Sequence, residues 1–299
     1  MSLTPLDKNA IWQSFDRAAS SYDQHAFLQR EVESRLLERV EFCRYKPEII
    51  LDLGCGTGSG SRFLANQFKQ ANVMALDWAT SMLAMVRAAD RPDPGTASLH
   101  PLCADMHYLP FAPRSVDMIF SSLALQWSYD LPAVFREFRR IMKPNAMLIF
   151  TSFGPDTLFE LKQAWKTVND LPHVNDYPDM HDVGDELLAA GFLEPVMDAE
   201  RLTLEYPDVM SLMRELKGIG AHNVAAKRAQ GLTGKTQLQG VLQAYEQFRR
   251  NDRYPASYEV VYGTAFAPAE GQPVKTPEGD VATFSVDALR SKSRNKAAT

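Results

Sequence analysis

The sequence predicts an α/β fold, a mostly parallel sheet with helices on both faces. Three observations predict it. From Glu48 onward, short apolar runs alternate with amphipathic segments at the spacing of strand–helix units. One of those runs, Leu51-Asp52-Leu53, passes straight into glycines at 54, 56 and 58, and a helical pattern starts behind them. The chain has 299 residues, 45% of them hydrophobic and 23% charged, which is enough to bury a full core and excludes a disordered or fibrous class.

The elements follow in order. Leu28, Val32, Leu36, Leu37 and Val40 recur at helical spacing, so the first forty-odd residues are read as helical. Strands are expected at Ile49–Leu53, Val73–Asp77, Ser98–Cys103, Val116–Ser121 and Met147–Ser152, with helices at Ser59–Lys69, Ser81–Ala89 and Leu131–Met142 between them. Lys143-Pro144-Asn145 reads as a helix stop and a turn. Helices at Pro155–Val168 and Asp182–Ala190, the latter ended by Gly191, precede a strand near Pro195–Leu204. Residues 207–253 are helix-rich, with Gly218, Gly220, Gly231 and Gly234 as breaks, and Tyr258–Phe266 is a strongly β-prone last strand. Beyond Pro268 a Pro/Gly-rich stretch and RSKSRNKAAT read as a disordered tail, or one that belongs to no core. The expected division is a helical lid at 1–45, a sheet domain at 46–206 and 254–268, a cap at 207–253 and a tail at 269–299.

Several function classes are disfavoured. No run of eighteen apolar residues exists, and the N-terminus has no apolar signal segment. Three cysteines, Cys43, Cys55 and Cys103, share no metal-site spacing and suit a reducing cytoplasm. The six histidines show no i, i+4 pair, so no metal is expected. A net charge of −5 argues against nucleic-acid binding.

Gly54, Cys55, Gly56 and Gly58 allow a tight turn in which backbone approaches a ligand and helix N–H groups point at it. Asp77 ends the second strand, 23 positions beyond Gly54, where a carboxylate can accept both hydroxyls of a ribose. A helix cap is the structural alternative for that acid. Asp105 ends the third strand within reach of an adenine amino group, with Met106 beside it to lie against the ring; a capping role is again the alternative. Trp78 and Met82 follow Asp77 as further cofactor contacts. Ser121 and Ser122 put small residues at the carboxyl edge of the sheet, where ligands of open α/β sheets sit.

These residues carry a resemblance. LDLGCGTG, the acid after the second strand, AD after the third, and SSLALQW with KPNAMLIF resemble the class I S-adenosylmethionine-dependent methyltransferases. The fold implied is Rossmann-like and seven-stranded, with N-terminal helices and a helical cap inserted before the last strand. Asn145 departs from the pattern, since Gly-Gly or Asp-Gly usually stands at that turn. FDRAASSYDQHAFLQREV, TSFGPDTLFELKQAW, LPHVNDY, SLMRELKGIGAHNVAAKR and RYPASYEVVYG are similar, from Ile11 to Pro268, to the malonyl-acyl-carrier-protein O-methyltransferases of biotin synthesis. A related family, the methyltransferase-like protein-arginine hydroxylases of respiratory-complex assembly, shares parts of two motifs. A non-catalytic S-adenosylmethionine-binding module is a further alternative, and a nicotinamide-linked oxidoreductase a distant one.

The resemblance implies methyl transfer to the free carboxylate of a malonyl thioester on acyl carrier protein or on coenzyme A. Tyr22 is then a lid residue over the sulfonium, with packing of the N-terminal helix as the alternative. His173 and Asn175 would meet the acyl group, His173 being the second catalytic candidate; an ordinary loop histidine is the alternative. Trp127 and Phe153 are candidate walls of the acyl pocket, although aromatics at strand exits also serve as core. Arg30 could reach a methionine carboxylate or face solvent. Arg214, Lys217, Lys227, Arg228, Lys235, Arg249, Arg250 and Arg253 form a basic belt. Residues 201–253 carry 9 Lys+Arg against 5 Asp+Glu, whereas 1–200 carry 18 against 27. That polarity would steer an acidic carrier, with solvated helix faces as the alternative. The oligomeric state is not readable.

Overall fold

The computed structural model of the chain describes residues 5–41, 46–89, 97–221, 223–225, 234–272, 274–276 and 279–281. Two N-terminal helices, α1 (Lys8–His25) and α2 (Phe27–Glu41), meet at buried Ala26. Five strands and three helices follow: β1 (Ile49–Leu53), α3 (Ser59–Gln67), β2 (Asn72–Asp77), α4 (Thr80–Ala89), β3 (Ser98–Cys103), β4 (Val116–Ser121), α5 (Leu131–Ile141) and β5 (Met142–Phe153). The remainder is α6 (Phe159–Lys166), α7 (Met180–Ala189), β6 (Leu193–Tyr206), α8 (Val209–Gly218), α9 (Lys235–Tyr245) and β7 (Tyr254–Phe266).

The large sheet has the order β3-β2-β1-β4-β5-β7-β6. Pairs among β1 to β5 are parallel, and β7 runs antiparallel between β5 and β6. Chain direction across the sheet reverses beside β1, which pairs with both β2 and β4, and that switch point is where ligands of open α/β sheets bind. Successive strand residues serve opposite faces. Ile50, Phe120 and Ile149 join the core under α2, α6 and α9, while Leu51, Ile119 and Leu148 join the core under α5 and α7.

Boundaries differ from the sequence reading for local reasons. β5 begins at Met142, because Met142 pairs with Val116 and the Lys-Pro-Asn segment is a register shift within the strand. Asn145 takes the left-handed conformation at φ 62°, which asparagine tolerates, and donates its N–H to Ala267 O at 3.0 Å. α6 starts late because the Gly154–Leu158 turn is held by β7: the Glu259 carboxylate accepts from Asp156 N, and Leu158 N donates to Ser257 O. β7 begins before Pro255, which lies beyond the last β5 pair, Phe153–Val260, where β6 is the neighbour. The stretch expected to be a structureless tail contains an antiparallel pair, β8 (Val274–Thr276) and β9 (Gly279–Val281). Cys43, His222, Lys227, Arg228, Gly231 and the terminal RSKSRNKAAT lie outside the described residues. No described helix is long and apolar enough to cross a membrane.

Gly263 of β7 is paired with Phe150, and a Cβ there would stand 2.3 Å from the fully buried Phe150 ring. The ring packs on Phe135 and has no room to retreat. Gly263→Ala should therefore lower the unfolding free energy by about 1–3 kcal/mol, read from urea denaturation.

Candidate active site

The glycine loop is shaped by its attachments. Gly54 N and Cys55 N both donate to Leu76 O, at 2.8 and 2.9 Å, pinning the exit of β1 to the end of β2. Gly54 has φ +73°, and a Cβ on it would overlap Ala124 Cβ at 2.3 Å, so the loop passes where a side chain cannot. The Asp77 carboxylate accepts from Gly56 N at 2.9 Å and from Ala79 N at 2.8 Å. It therefore caps the entry to α4 and braces the loop together. Burial pushes its pKa up, opposed by the N–H groups of Ala79 and Gly56.

Above this loop lies a narrow cavity of about 100 Å³ that Gly54, Gly56, Asp77, Trp78, Met82, Asp105, Met106, Ser122 and Trp127 help to line. Ile11, Trp12, Phe15 and Tyr22 of α1 close its other side. Asp105 is tied to that lid: its Oδ2 pairs with Lys8 Nζ at 2.8 Å, and its Oδ1 accepts from His107 N and faces His107 Nδ1 at 2.7 Å. Burial opposes the charge on Asp105, but hydrogen bonds from Lys8 and His107 outweigh it and hold its pKa below the usual carboxylate range. His107 stacks on Tyr129, and Lys8 lies 5.1 Å from the Trp78 ring centroid.

A second, polar cavity of about 280 Å³ adjoins the first and shares Tyr22, Gly54, Gly56 and Ser122 with it. Asp23, Arg30, Glu33, Thr57, Ser59 and Arg62 line it, and so does Cys55. Thr57 Oγ1 donates to Asp23 Oδ1 at 2.8 Å, Ser59 donates to Glu33, and Arg62 donates to Thr57 O at 3.0 Å. Arg30 donates to the Asp23 carbonyl and lies over the Phe27 ring. Burial raises the Glu33 pKa. Lys8, Asp23, Glu33, Arg62, His107 and Tyr129 were not among the expected site residues; in the sequence they look like charges of solvated helices or loops.

A third cavity of about 580 Å³ lies between α1, α6 and α8 and is lined by His173, Asn175 and Lys217. His173 stacks on Trp165, ring centroids 3.5 Å apart, with Nε2 2.8 Å from Asn169 Oδ1, and burial lowers its pKa. It lines the third cavity and neither cavity at the glycine loop. Asn175 is buried, and its Oδ1 accepts from Val224 N.

Other expectations are corrected too. Ser121 is fully buried and its Oγ donates to Leu53 O at 3.0 Å, so it ties β4 to β1, and it lines none of the three cavities. Gly58 is the left-handed N-cap of α3 against Val86 and lines none of these cavities. Phe153 is core, packed between Tyr177 and Tyr258. Trp127 lines the narrow cavity, edge-on to Phe15 at 5.0 Å, and is absent from the walls of the largest. Gly218 and Gly220 serve close packing of the cap on α1: a Cβ would strike the His25 ring at 2.3 Å and Ser14 O at 2.9 Å. Of the basic belt, Arg214 pairs with Asp208, and Arg249 with Glu246 and Asp252. Arg250 and Arg253 are exposed, and none of these four arginines lines any of the three cavities.

Strand order, glycine loop and the acids closing β2 and β3 define a class I methyltransferase. Residues 51–150 match a family described as a methyltransferase domain. A solved structure with the same fold is phosphoethanolamine N-methyltransferase 2 of Haemonchus contortus in complex with S-adenosyl-L-methionine; its TM-score is 0.52 at 19% identity, over 85% of this chain and 57% of that one. Two relatives are named malonyl-[acyl-carrier protein] O-methyltransferase. That of Gallionella capsiferriformans is 49% identical over 88% of this chain and 92% of its own length, and that of a Methylovorus species 46% identical over 88% and 90%. The chain belongs to the malonyl-[acyl-carrier protein] O-methyltransferase family.

One buried acid behind the loop has a consequence for stability. Asp52, at 3% exposure, accepts from Ser61 Oγ, and burial pushes its pKa up to about 8. A carboxyl whose pKa is higher in the folded than in the unfolded state binds a proton on folding. Its contribution is full below the unfolded value near 3.8, declines as pH rises, and is lost above about 8. Asp52→Asn removes that titration. It should flatten the fall in stability between pH 5 and pH 8, so the variant's urea midpoint relative to wild type rises with pH.

Proposed function

We propose that this protein transfers the methyl group of S-adenosylmethionine to the free carboxylate of a malonyl thioester on acyl carrier protein, giving the methyl ester used in biotin synthesis. The observation that carries the reading is high identity, along nearly the whole chain, to proteins named for that reaction. Malonyl-coenzyme A is the alternative acceptor. A reducing cytoplasm is the proposed location, in keeping with the free Cys55 and Cys103.

The donor set fits the cofactor. Asp77 uses one lone pair on each oxygen for backbone N–H groups, which leaves further acceptor capacity for a ribose diol. Asp105, kept ionised, and the flat apolar surfaces of Trp78, Met82 and Met106 suit a purine with an exocyclic amine. The neighbouring cavity offers cations, Arg30 and Arg62, beside anions, Asp23 and Glu33, the complement of an amino-acid zwitterion. A molecule with a nucleoside at one end and an amino acid at the other spans both, its middle at the shared residues Tyr22, Gly54, Gly56 and Ser122.

Bound there, S-adenosylmethionine supplies an electrophilic methyl group. A malonyl carboxylate is ionised near neutral pH, so the chain need provide no general base. Burial holds the Tyr22 phenol protonated, so Tyr22 acts as a neutral lid that excludes water and aligns the acceptor oxygen. Neutralisation of carboxylate and sulfonium in the transition state is favoured by such a dry site. Exposed Arg250 and Arg253 remain candidates to steer an acidic carrier.

The test incubates the purified protein with methyl-labelled S-adenosylmethionine and malonyl-acyl carrier protein and weighs the intact carrier. A gain of one methyl group is expected; no gain, with donor binding retained, removes the reaction. Asp77→Asn should weaken donor binding about tenfold to a hundredfold by calorimetry, the loss expected for a charged acceptor. Wild-type affinity would reduce Asp77 to a loop brace.

A further inference from the structure

The largest of the three cavities lies apart from the donor cavities, and its chemistry is lopsided. Leu158, Leu161, Trp165 and Leu216 make apolar walls, while two exposed cations, Arg17 and Lys217, also line it and no acidic side chain among the described residues does. Lys217 has no ion-pair partner among the described residues, and Arg17 donates only to Gln13 Oε1 at 3.2 Å. A volume of about 580 Å³ falls within the roughly 300–1,000 Å³ of small-molecule sites. The occupant that fits is long and mostly apolar, with an anion at one end.

His173 adds a directional group. Asn169 Oδ1 accepts from Leu171 N at 3.0 Å, which fixes the amide orientation, so the ring must donate to it from Nε2. Nδ1 is then left as the acceptor of a ring that lines the cavity, suited to an amide N–H. Burial keeps the ring neutral.

The cavity also lies where an acceptor must arrive. Ser14, Ala18 and Ser21 of α1 line it, while Phe15 and Tyr22, each next in sequence to one of those serines, line the donor cavity. Neighbouring helix residues point about 100° apart, so the two cavities occupy adjacent faces of one helix.

We propose that this cavity holds the phosphopantetheine arm on which an acyl carrier presents its thioester, with Arg17 and Lys217 binding the phosphate and His173 Nδ1 accepting from an arm amide. The proposal rests on the malonyl-thioester reading above. An arm with two amides, a short apolar backbone and one phosphodiester matches the cavity lining in charge and polarity.

The experiment measures binding, independently of methyl transfer. 4′-Phosphopantetheine and pantetheine are titrated by calorimetry into the protein and into the Arg17→Gln/Lys217→Gln double variant, each checked for S-adenosylmethionine binding. The wild-type protein should prefer the phosphorylated arm about tenfold or more, as charge-assisted hydrogen bonds would give, and the double variant should lose most of that preference. Leu161→Trp, which fills the cavity, should weaken both ligands while leaving donor affinity unchanged. Equal wild-type affinities, a preference retained in the double variant, or an unaffected Leu161→Trp would each overturn the proposal. Phosphate preference in a protein that methylates no malonyl carrier would uphold the arm site and remove the methyl-transfer reading instead.

Discussion

The Leu76-Asp77 step at the end of β2 is the attachment on which the site depends. Its carbonyl holds Gly54 and Cys55, and its carboxylate holds Gly56 and Ala79. With those four N–H groups fixed, the loop is rigid where the Ala124 contact leaves no space for slack. One short segment thus sets the loop, starts α4 and presents the acid to the cavity. Capping and ligand binding, posed as alternatives for Asp77 in the sequence, are compatible, because a carboxylate has more lone pairs than either role consumes.

Helix α1 is the second organising part. Its Lys8 reaches Asp105, its Asp16 accepts from Ser81 N at the start of α4, and Tyr22 sits over the loop. Its opposite side is stitched to the cap by Ser21 Oγ donating to Gly218 O and Asp7 N donating to Val224 O. The cavity at the glycine loop and the cavity beside α8 therefore share α1 as a wall, and a displacement of that wall is felt in both.

Much of this was legible in advance. Period-2 apolar runs gave the strand cores, and the glycine spacing with Asp77, Asp105 and Met106 picked out residues that the fold brings to one cavity. Other features could not be read. Ser121 and Ser122 are adjacent, and only the register of β4 against β1 decides which faces the cavity and which hydrogen-bonds Leu53. Lys8 and Glu33 look like ordinary helix charges until packing brings them to Asp105 and Ser59. His173 beside Asn175 suggested chemistry, whereas the Trp165 stack explains its position. In the basic belt, Glu246 and Asp252 each stand three residues from Arg249, close enough to neutralise it, a local pairing that net charge averages away.

The placement of β7 inside the sheet governs the order in which the molecule can assemble. β6 hydrogen-bonds to β7 and to no other described strand. During synthesis, residues 193–253 therefore leave the ribosome with no edge to join, and α8 and α9 with them. Only when 254–266 emerges can β7 insert beside β5 and draw β6 in behind it. The walls of the largest cavity that α8 supplies are thus among the last parts to be fixed, through pairings of high sequence separation that form slowly. A ribosome stalled before that strand would hold a nascent chain able to build the glycine loop and its acids while the cavity beside α8 was still open.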